Sequence, residues 1–247
     1  MIGIVKHNTP CGVGLGREAL EAWERAYATD PESPFGGVIV STRPWTLALA
    51  RTVDEIFTEV LIAPEFEPDA LALLKKKKNR RLVRWHPEAV PAGAVAVRSV
   101  AGGLLVQDAD RATEDPREAR VVTRRAPTAE ELAALGFAWR VVKHVRSNAV
   151  VFATGDRTLA VGGGQTSRVE AIRNACARAA RLGIDLRRSV VASDAFFPFP
   201  DGLEEAVAAG ATAVIQPGGS TRDEEVIRAA DARGAAMVFT GVRHFRH

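Results

Sequence analysis

Val190 to Phe239 reads VVASDAFFPFPDGLEEAVAAGATAVIQPGGSTRDEEVIRAADARGAAMVF. Three short apolar runs stand out in it: Val190–Ala192, Ala213–Ile215 and Met237–Phe239. Each is too short for a helix and sits beside turn-forming or polar residues, the pattern of a buried strand. The stretches between them are amphipathic and long enough for helices. Strand and helix in alternation predict an α/β architecture, with helices packed on a largely parallel or mixed sheet.

The alternation continues outward. Ile2–Val5, Val38–Val40, Val60–Ile62 and Ala149–Phe152 are four further candidate strands. In REALEAWERAY, Leu20, Trp23 and Tyr27 fall on one helical face. Thr128 with Glu131, Ser167 with Glu170 and Thr221 with Glu224 have the spacing of capping boxes. Two of these follow glycine-rich approaches, VGGGQTSR and PGGSTRDEE. Those glycines serve either tight strand-to-helix turns or an anion held on free helix N–H groups; the residues alone leave both readings open. A polar stretch from Ala109 to Arg120 is expected to connect two α/β subdomains, residues 1–125 and 126–247. No internal repeat is legible in the residues themselves.

The 247 residues are 47% hydrophobic and 26% charged, ordinary values for a globular chain with a sizeable core. No run approaches the roughly 18–20 apolar residues of a membrane span, and no secretory signal pattern opens the chain. With Cys11 and Cys176 the only cysteines, no disulfide framework is implied and a cytoplasmic location is expected. The net charge is +3, and its densest part is KKKKNRR, Lys75 to Arg81, directly after Leu71–Leu74. Cations there complement a helix end. No aromatics interleave with them, so nucleic-acid binding is not expected.

Several chemistries lack their residues. No Gly-Lys-Ser/Thr follows the glycines of GGGQTSR, which excludes a P-loop, and no G-x-S-x-G nucleophile elbow occurs. PCGVG carries half of a deaminase zinc pattern, but no second cysteine and no H-x-E accompany Cys11. His86 and His144 have no ligand-spaced neighbours. No metal site is expected. Lys6 and His7 end the first apolar run, before the turn-rich NTPCG; on the residues alone they are either a catalytic pair or polar punctuation of a strand.

IVKHNTPCGVG, TDPESPFGGVIV, EVLIAPEF, LLKKKKNRRLV and GGLLVQD, followed in order by VKHVRSNAVVFA, GGGQTSRVEAIRNA, ASDAFFPFPDG, AVIQPGGSTRDEEVI and VFTGVRHFRH, resemble the transformylase region of the AICAR transformylase/IMP cyclohydrolase family. The resemblance covers nearly the whole chain. It implies two similar cytidine-deaminase-like α/β units with mixed or parallel sheets and no zinc. It further implies transfer of a formyl group from the cosubstrate 10-formyltetrahydrofolate to the 5-amino group of AICAR, giving FAICAR in purine biosynthesis. That amine is a weak nucleophile, because its lone pair is delocalised toward the carboxamide. Its proton must leave as attack proceeds, and the tetrahedral oxyanion needs stabilising.

By resemblance His7 is the proton-transfer residue, Lys6 its electrostatic partner, and Asn148 lies near the reacting groups. Gly36, Glu59, Arg243, Phe245 and His247 are expected on the nucleotide. Gln165, Arg168, Phe197, Asp201 and Ser220 are expected on the folate, with Phe197 able to stack on a flat ring. Asp194 is expected to be structural, near a candidate site for a monovalent cation such as potassium. The family builds its site across a homodimer, so shared active sites are expected. An upstream segment with an Arg-Tyr-Gly motif and the cyclohydrolase domain have no counterpart in these residues. IMP cyclisation is therefore not expected. A second polypeptide supplying the segment, or a diverged, catalytically weak folate- or nucleotide-binding regulatory paralogue, are the alternatives this leaves. Adjacent strand residues point to opposite faces, so Lys6 and His7 converge only if the chain turns at His7.

Overall fold

The computed structural model describes residues 1–86 and 93–247. The chain does turn at His7. Strands β1 (Ile2–Lys6) and β2 (Thr9–Gly14) form a hairpin in which Lys6 pairs with Thr9. His7 and Asn8 make the two-residue turn with φ of 52° and 61°. Two successive residues in the left-handed region give the twist a tight hairpin favours, and Asn and His tolerate it better than most side chains. NTPCG is thus only partly a turn: from Thr9 onward it pairs back as a strand. Pro10 is accommodated because β2 is an edge.

Helix α1 (Ala19–Thr29), β3 (Gly37–Ser41), α2 (Leu47–Asp54), β4 (Thr58–Ala63), α3 (Pro68–Leu74) and β5 (Arg81–Arg84) complete the first unit. Its sheet runs β2-β1-β3-β4-β5, with β1 antiparallel to both neighbours and β3, β4 and β5 parallel. Next come the hairpin β6 (Val95–Val100) and β7 (Gly103–Asp108), exposed along its whole length, the short β8 (Arg120–Val121), and α4 (Ala129–Val142).

Then the pattern repeats. Strands β9 (Val150–Ala153) and β10 (Thr158–Gly162) form a hairpin, followed by α5 (Arg168–Arg181), β11 (Ser189–Ser193), α6 (Pro200–Ala208), β12 (Ala211–Gln216), α7 (Asp223–Ala232) and β13 (Ala236–Phe239). The order is β10-β9-β11-β12-β13, with β8 added at the outer edge. Again the first strand is antiparallel to both neighbours and the rest of the repeated set is parallel. The two sheets share one topology, a repeat that the residues do not advertise. In both, the second hairpin strand lies so close to the following helix that only glycine fits. A Cβ at Gly14 would collide with the Ala22 carbonyl, and one at Gly162 with that of Ala171.

All seven expected strands are present, six of them extended by one or more residues and the seventh, expected over Ala149–Phe152, shifted by one to Val150–Ala153. The capping box at Thr128 is complete, with both reciprocal bonds to Glu131. Ser167 accepts from the Glu170 N–H. Thr221 is not a cap: α7 begins later, after Arg222, and Asp223 instead accepts from the Gly219 N–H at 2.7 Å. Helix α3 ends at Leu74 with Lys75 as its cap, as the lysine run suggested. Arg80 is the exception in that run, buried against Asp54 at 2.7 Å.

Helices α1, α2 and α3 cover one face of the first sheet over a core that includes Ile2, Ile4, Ile39, Trp45 and Leu61. The second sheet is covered on both faces, by α5, α6 and α7 on one side and α4 on the other. The sheets meet edge to edge, β2 against β10. Gly14 bridges to Arg157, the Leu15 N–H donates to the Asp156 carbonyl (2.7 Å), and Thr158 accepts from the Val13 N–H (2.9 Å).

Candidate functional site

The His7–Asn8 turn carries an exposed imidazole at the tip of the first hairpin. Non-glycine residues held at positive φ gather at functional sites. Lys6 is folded to one side, where its Nζ donates to the Phe35 carbonyl at 2.9 Å. The next residue, Gly36, has φ of +70° and donates to the Phe57 carbonyl at 2.7 Å. Phe35 and Phe57 are exposed and pack together, ring centroids 5.3 Å apart. Glu59, two residues after Phe57, is also exposed. Lys6, Gly36 and Glu59 therefore border one aromatic-lined rim.

Beside this rim a cavity of about 420 Å³ is lined by Lys6, His7, Cys11, Asp30, Gly163 and Arg178 among others. Burial and then the Asp30 charge push the Cys11 thiol above its ordinary value, so it is a poor nucleophile or metal ligand. Burial opposes ionisation of Asp30, but hydrogen bonds from Ser33 and Arg178 outweigh it and hold the carboxyl below its usual range. Arg178 donates to both Asp30 and the Ser33 hydroxyl. A helix of the second unit thus grips the loop that seats Lys6. A second cavity of about 440 Å³ joins His7, Asn8 and Thr9 to Arg146, Gly163 and Gly164.

Asn148 stands just beyond that cavity. Its Nδ2 donates to the Gln165 carbonyl at 2.9 Å, and its Oδ1 accepts from Arg168 at 2.9 Å. Asn148, Gln165 and Arg168 are therefore one cluster. Arg168 is only 6% exposed, and it also donates to Asp194 (2.5 Å) and Ser193 (2.7 Å). Its guanidinium is part of a buried ion pair, so the direct cofactor contact expected of it would have to break internal bonds. Asp194 is wholly buried. Its two oxygens take bonds from Arg168, the Ala149 N–H and the Ser147 hydroxyl, the structural place expected for it.

Phe197 requires a correction. It has no exposed surface, and its ring lies in the core against Gly202 and Ile172, where it cannot stack on a ligand ring. The aromatic that does face solvent is Phe199, 48% exposed with the Arg222 guanidinium 4.8 Å above its ring. Alternation along extended chain separates the two, and the sequence alone could not say which one points out. Asp201 is exposed in the first turn of α6, and Ser220 accepts from the Arg222 N–H before α7. The Phe199–Arg222 contact ties these loops together, and neither lines the cavities beside His7.

The chain's last residues are anchored. His244 is buried between Asp110 (Nδ1 at 2.6 Å) and Glu114 (Nε2 at 3.2 Å), against the ring of Trp139, and its N–H donates to the Asp194 carbonyl. Asp110 and Glu114 belong to the polar connection, which is therefore more than a surface link. Either side of this anchor Arg243, Phe245 and His247 are exposed and stack in series, each 5.6 Å from the next. Ser147 exchanges two bonds with Arg246, which sets this cluster beside Asn148. The sequence reading missed His244, because a histidine among exposed charges carries no burial signal. Among the described residues no group of three or more His, Cys, Asp or Glu is arranged to hold a metal, and no helix is long and apolar enough to cross a membrane.

Comparison with known proteins supplies the family. The model of the AICARFT/IMPCHase bienzyme matches residues 1–178. The bifunctional purine biosynthesis protein PurH of Chloroflexus aurantiacus is 62% identical over 246 residues, covering 100% of this chain and 48% of that protein. PurH of Myxococcus xanthus is 53% identical over 249 residues, covering 99% and 48%, and that of Chlorobaculum parvum 52% over 244 residues, covering 99% and 46%. The chain spans about half the length of the curated relatives it matches. A hairpin with Lys6–His7 at its tip, set in a twice-repeated α/β frame, belongs to a member of the AICARFT/IMPCHase bienzyme family.

Proposed function

We propose that this chain carries the formyl-transfer half of its family's chemistry, moving a formyl group from 10-formyltetrahydrofolate to the 5-amino group of AICAR. The observation that supports this most is the placement of His7: solvent-facing, on a turn that fixes its backbone, next to a lysine and opening onto cavities. His7 takes the proton from the attacking amine as the new C–N bond forms, and returns it to the tetrahydrofolate nitrogen as the old C–N bond breaks. An imidazole suits this because its ordinary titration range brackets neutrality. The Lys6 ammonium and the Asn148 amide donate toward the oxyanion that develops on the formyl oxygen.

On this reading the nucleotide lies along Gly36, Glu59 and the Phe35–Phe57 pair. Arg243, Phe245 and His247 close over its phosphate or base. The folate is held by Asp201, Ser220 and Gln165, with Phe199 rather than Phe197 as the stacking ring. Arg168 acts through Asn148 by holding its Oδ1. The nucleotide-side residues come mostly from the first unit and the folate-side residues from the second. A homodimer in which one protomer's His7 faces its partner's α6 loop would bring them together, in the cytoplasm.

The test is an assay of the purified chain with AICAR and 10-formyltetrahydrofolate, following tetrahydrofolate release. His7→Ala is expected to lower kcat by about 10²–10⁴-fold, with little change in nucleotide affinity. Nucleotide and folate binding with no turnover in the unaltered chain would replace this reading with a regulatory paralogue. Equal turnover in both proteins would remove His7 from the chemistry.

A further inference from the structure

The tail that closes over the nucleotide in the proposed function is fixed at a buried point. The His244 side chain has no exposed surface, and each ring nitrogen faces a carboxylate, Nδ1 on Asp110 at 2.6 Å and Nε2 on Glu114 at 3.2 Å. Both acids come from the connection between the units. They are held in turn: Lys143 stands 3.6 Å from Asp110 and donates to the Ala112 carbonyl at 2.7 Å, and Glu114 accepts from the Trp139 indole at 2.8 Å. Trp139 also packs on the imidazole, ring centroids 4.8 Å apart. Because Trp139 belongs to α4 and Lys143 caps it, the anchor is built on a packed helix.

An apolar side chain against Trp139 would hold the tail without desolvating polar groups. A histidine between two acids adds register. Sliding the tail by one residue would bring Phe245 to the carboxylates, and a phenyl ring cannot satisfy them. With His244 turned inward, Arg243 and Phe245 stay exposed, the guanidinium 5.6 Å from the ring. The His244 N–H donates to the Asp194 carbonyl at 2.9 Å, and Ser147 and Arg246 exchange bonds of 2.9 and 3.1 Å, so the exposed side chains are set beside Asn148. We propose that His244 is a positioning residue for nucleotide binding: held by Asp110 and Glu114, it keeps Arg243, Phe245 and His247 seated before the nucleotide arrives. This rests on the formyl-transfer reading, in which those three residues contact AICAR. Apparent affinity falls with the fraction of chains whose tail is seated. Bound nucleotide draws the tail back, so loss of the anchor appears in KM and not in kcat.

Three variants of the full chain test it. His244→Leu removes both ring contacts. His244→Asn keeps an amide nitrogen in the place of Nδ1, toward Asp110. Asp110→Ala cuts the anchor from the other side, at an exposed residue that leaves the tail's own sequence intact. Hydrogen–deuterium exchange over residues 240–247 reads the tail with no ligand present, through the bonded amides of His244 and Arg246. Calorimetric titration with AICAR and steady-state kinetics read the consequence. His244→Leu and Asp110→Ala are expected to exchange faster across the tail and to raise the AICAR Kd about tenfold or more. Their kcat at saturating AICAR should stay within about threefold of the unaltered protein, and His244→Asn should recover most of the affinity. Tail exchange or AICAR affinity unchanged in Asp110→Ala overturns the inference, and so does a loss confined to kcat. An unaltered chain that binds no AICAR overturns the formyl-transfer reading and this inference together. AICAR binding that none of the three variants disturbs overturns this inference alone.

Discussion

The two sheets have one strand order and one pattern of parallel and antiparallel pairs, but they differ in cover. The second is sandwiched between α4 and the α5–α7 layer, so Val190, Ala192, Ala213 and Val238 are buried on the α4 side. Among the described residues the first is covered by α1–α3 on one face, and the equivalent side of β3 and β4 is half-exposed. The same backbone plan thus supports a closed core and an open one. Strand pairing fixes the plan; burial of the second face is a separate contribution, made in the second unit by α4.

That contrast can be tested by mutation, beginning with the ion pair each unit buries. Arg168→Met would leave the Asp194 carboxylate wholly buried without its cation, at a cost of about 3–5 kcal/mol. Arg80→Met should cost clearly less, because Asp54 keeps Lys77 at 3.1 Å and some solvent. Urea unfolding of the two variants decides it, and equal costs would break the contrast. Val190→Ala, inside the doubly covered sheet, is expected to lose about 2 kcal/mol. Val38→Ala, on the open face, should lose less than about 1 kcal/mol by the same measurement. Thr128→Ala removes the capping box that starts α4 and should cost about 1 kcal/mol.

The smallest effect concerns the seam between the units. The Asp30 carboxyl titrates below its ordinary value of 3.8, so its folded form prefers the charged state. The Asp30–Arg178 link therefore contributes stability that is fully present above pH 3.8. It is lost as pH falls through the lower folded value. Asp30→Asn should flatten that part of the stability–pH curve and leave the neutral-pH side nearly parallel to the unaltered protein.

Most of the frame was legible because its strands are short, apolar and bounded by turn residues. Among the described residues six strands escaped; β6, β7 and β10 have ordinary strand compositions, but in two others the composition argues against a strand. Thr9–Gly14 contains Pro and two Gly, and it becomes β2 only because His7–Asn8 folds it back on β1. Arg81–Arg84 is half charged, yet it pairs with β4 at the sheet edge. Resemblance named His7 and Gly36, which lie at positive φ in or beside the first hairpin, and Asn148, which is bonded to Gln165 and Arg168. It failed at Phe197 because two phenylalanines flank one proline and only the packed chain distinguishes inside from outside. His244 was invisible for a related reason: its partners Asp110 and Glu114 lie more than a hundred residues earlier.

The seam where β2 meets β10 also bears on solubility. A bare strand edge is a template for another chain, and a sheet protein must guard it against self-association. Two of the four outer edges here are withdrawn by being placed against each other. The remaining two carry arginines, Arg81 and Arg84 on β5 and Arg120 on β8. These charges disfavour strand addition at the outer edges of the two large sheets. The unguarded ribbon is β6–β7, where Leu104, Leu105 and Val106 stand in water, and it is there that a charged substitution would most improve the protein's handling at high concentration.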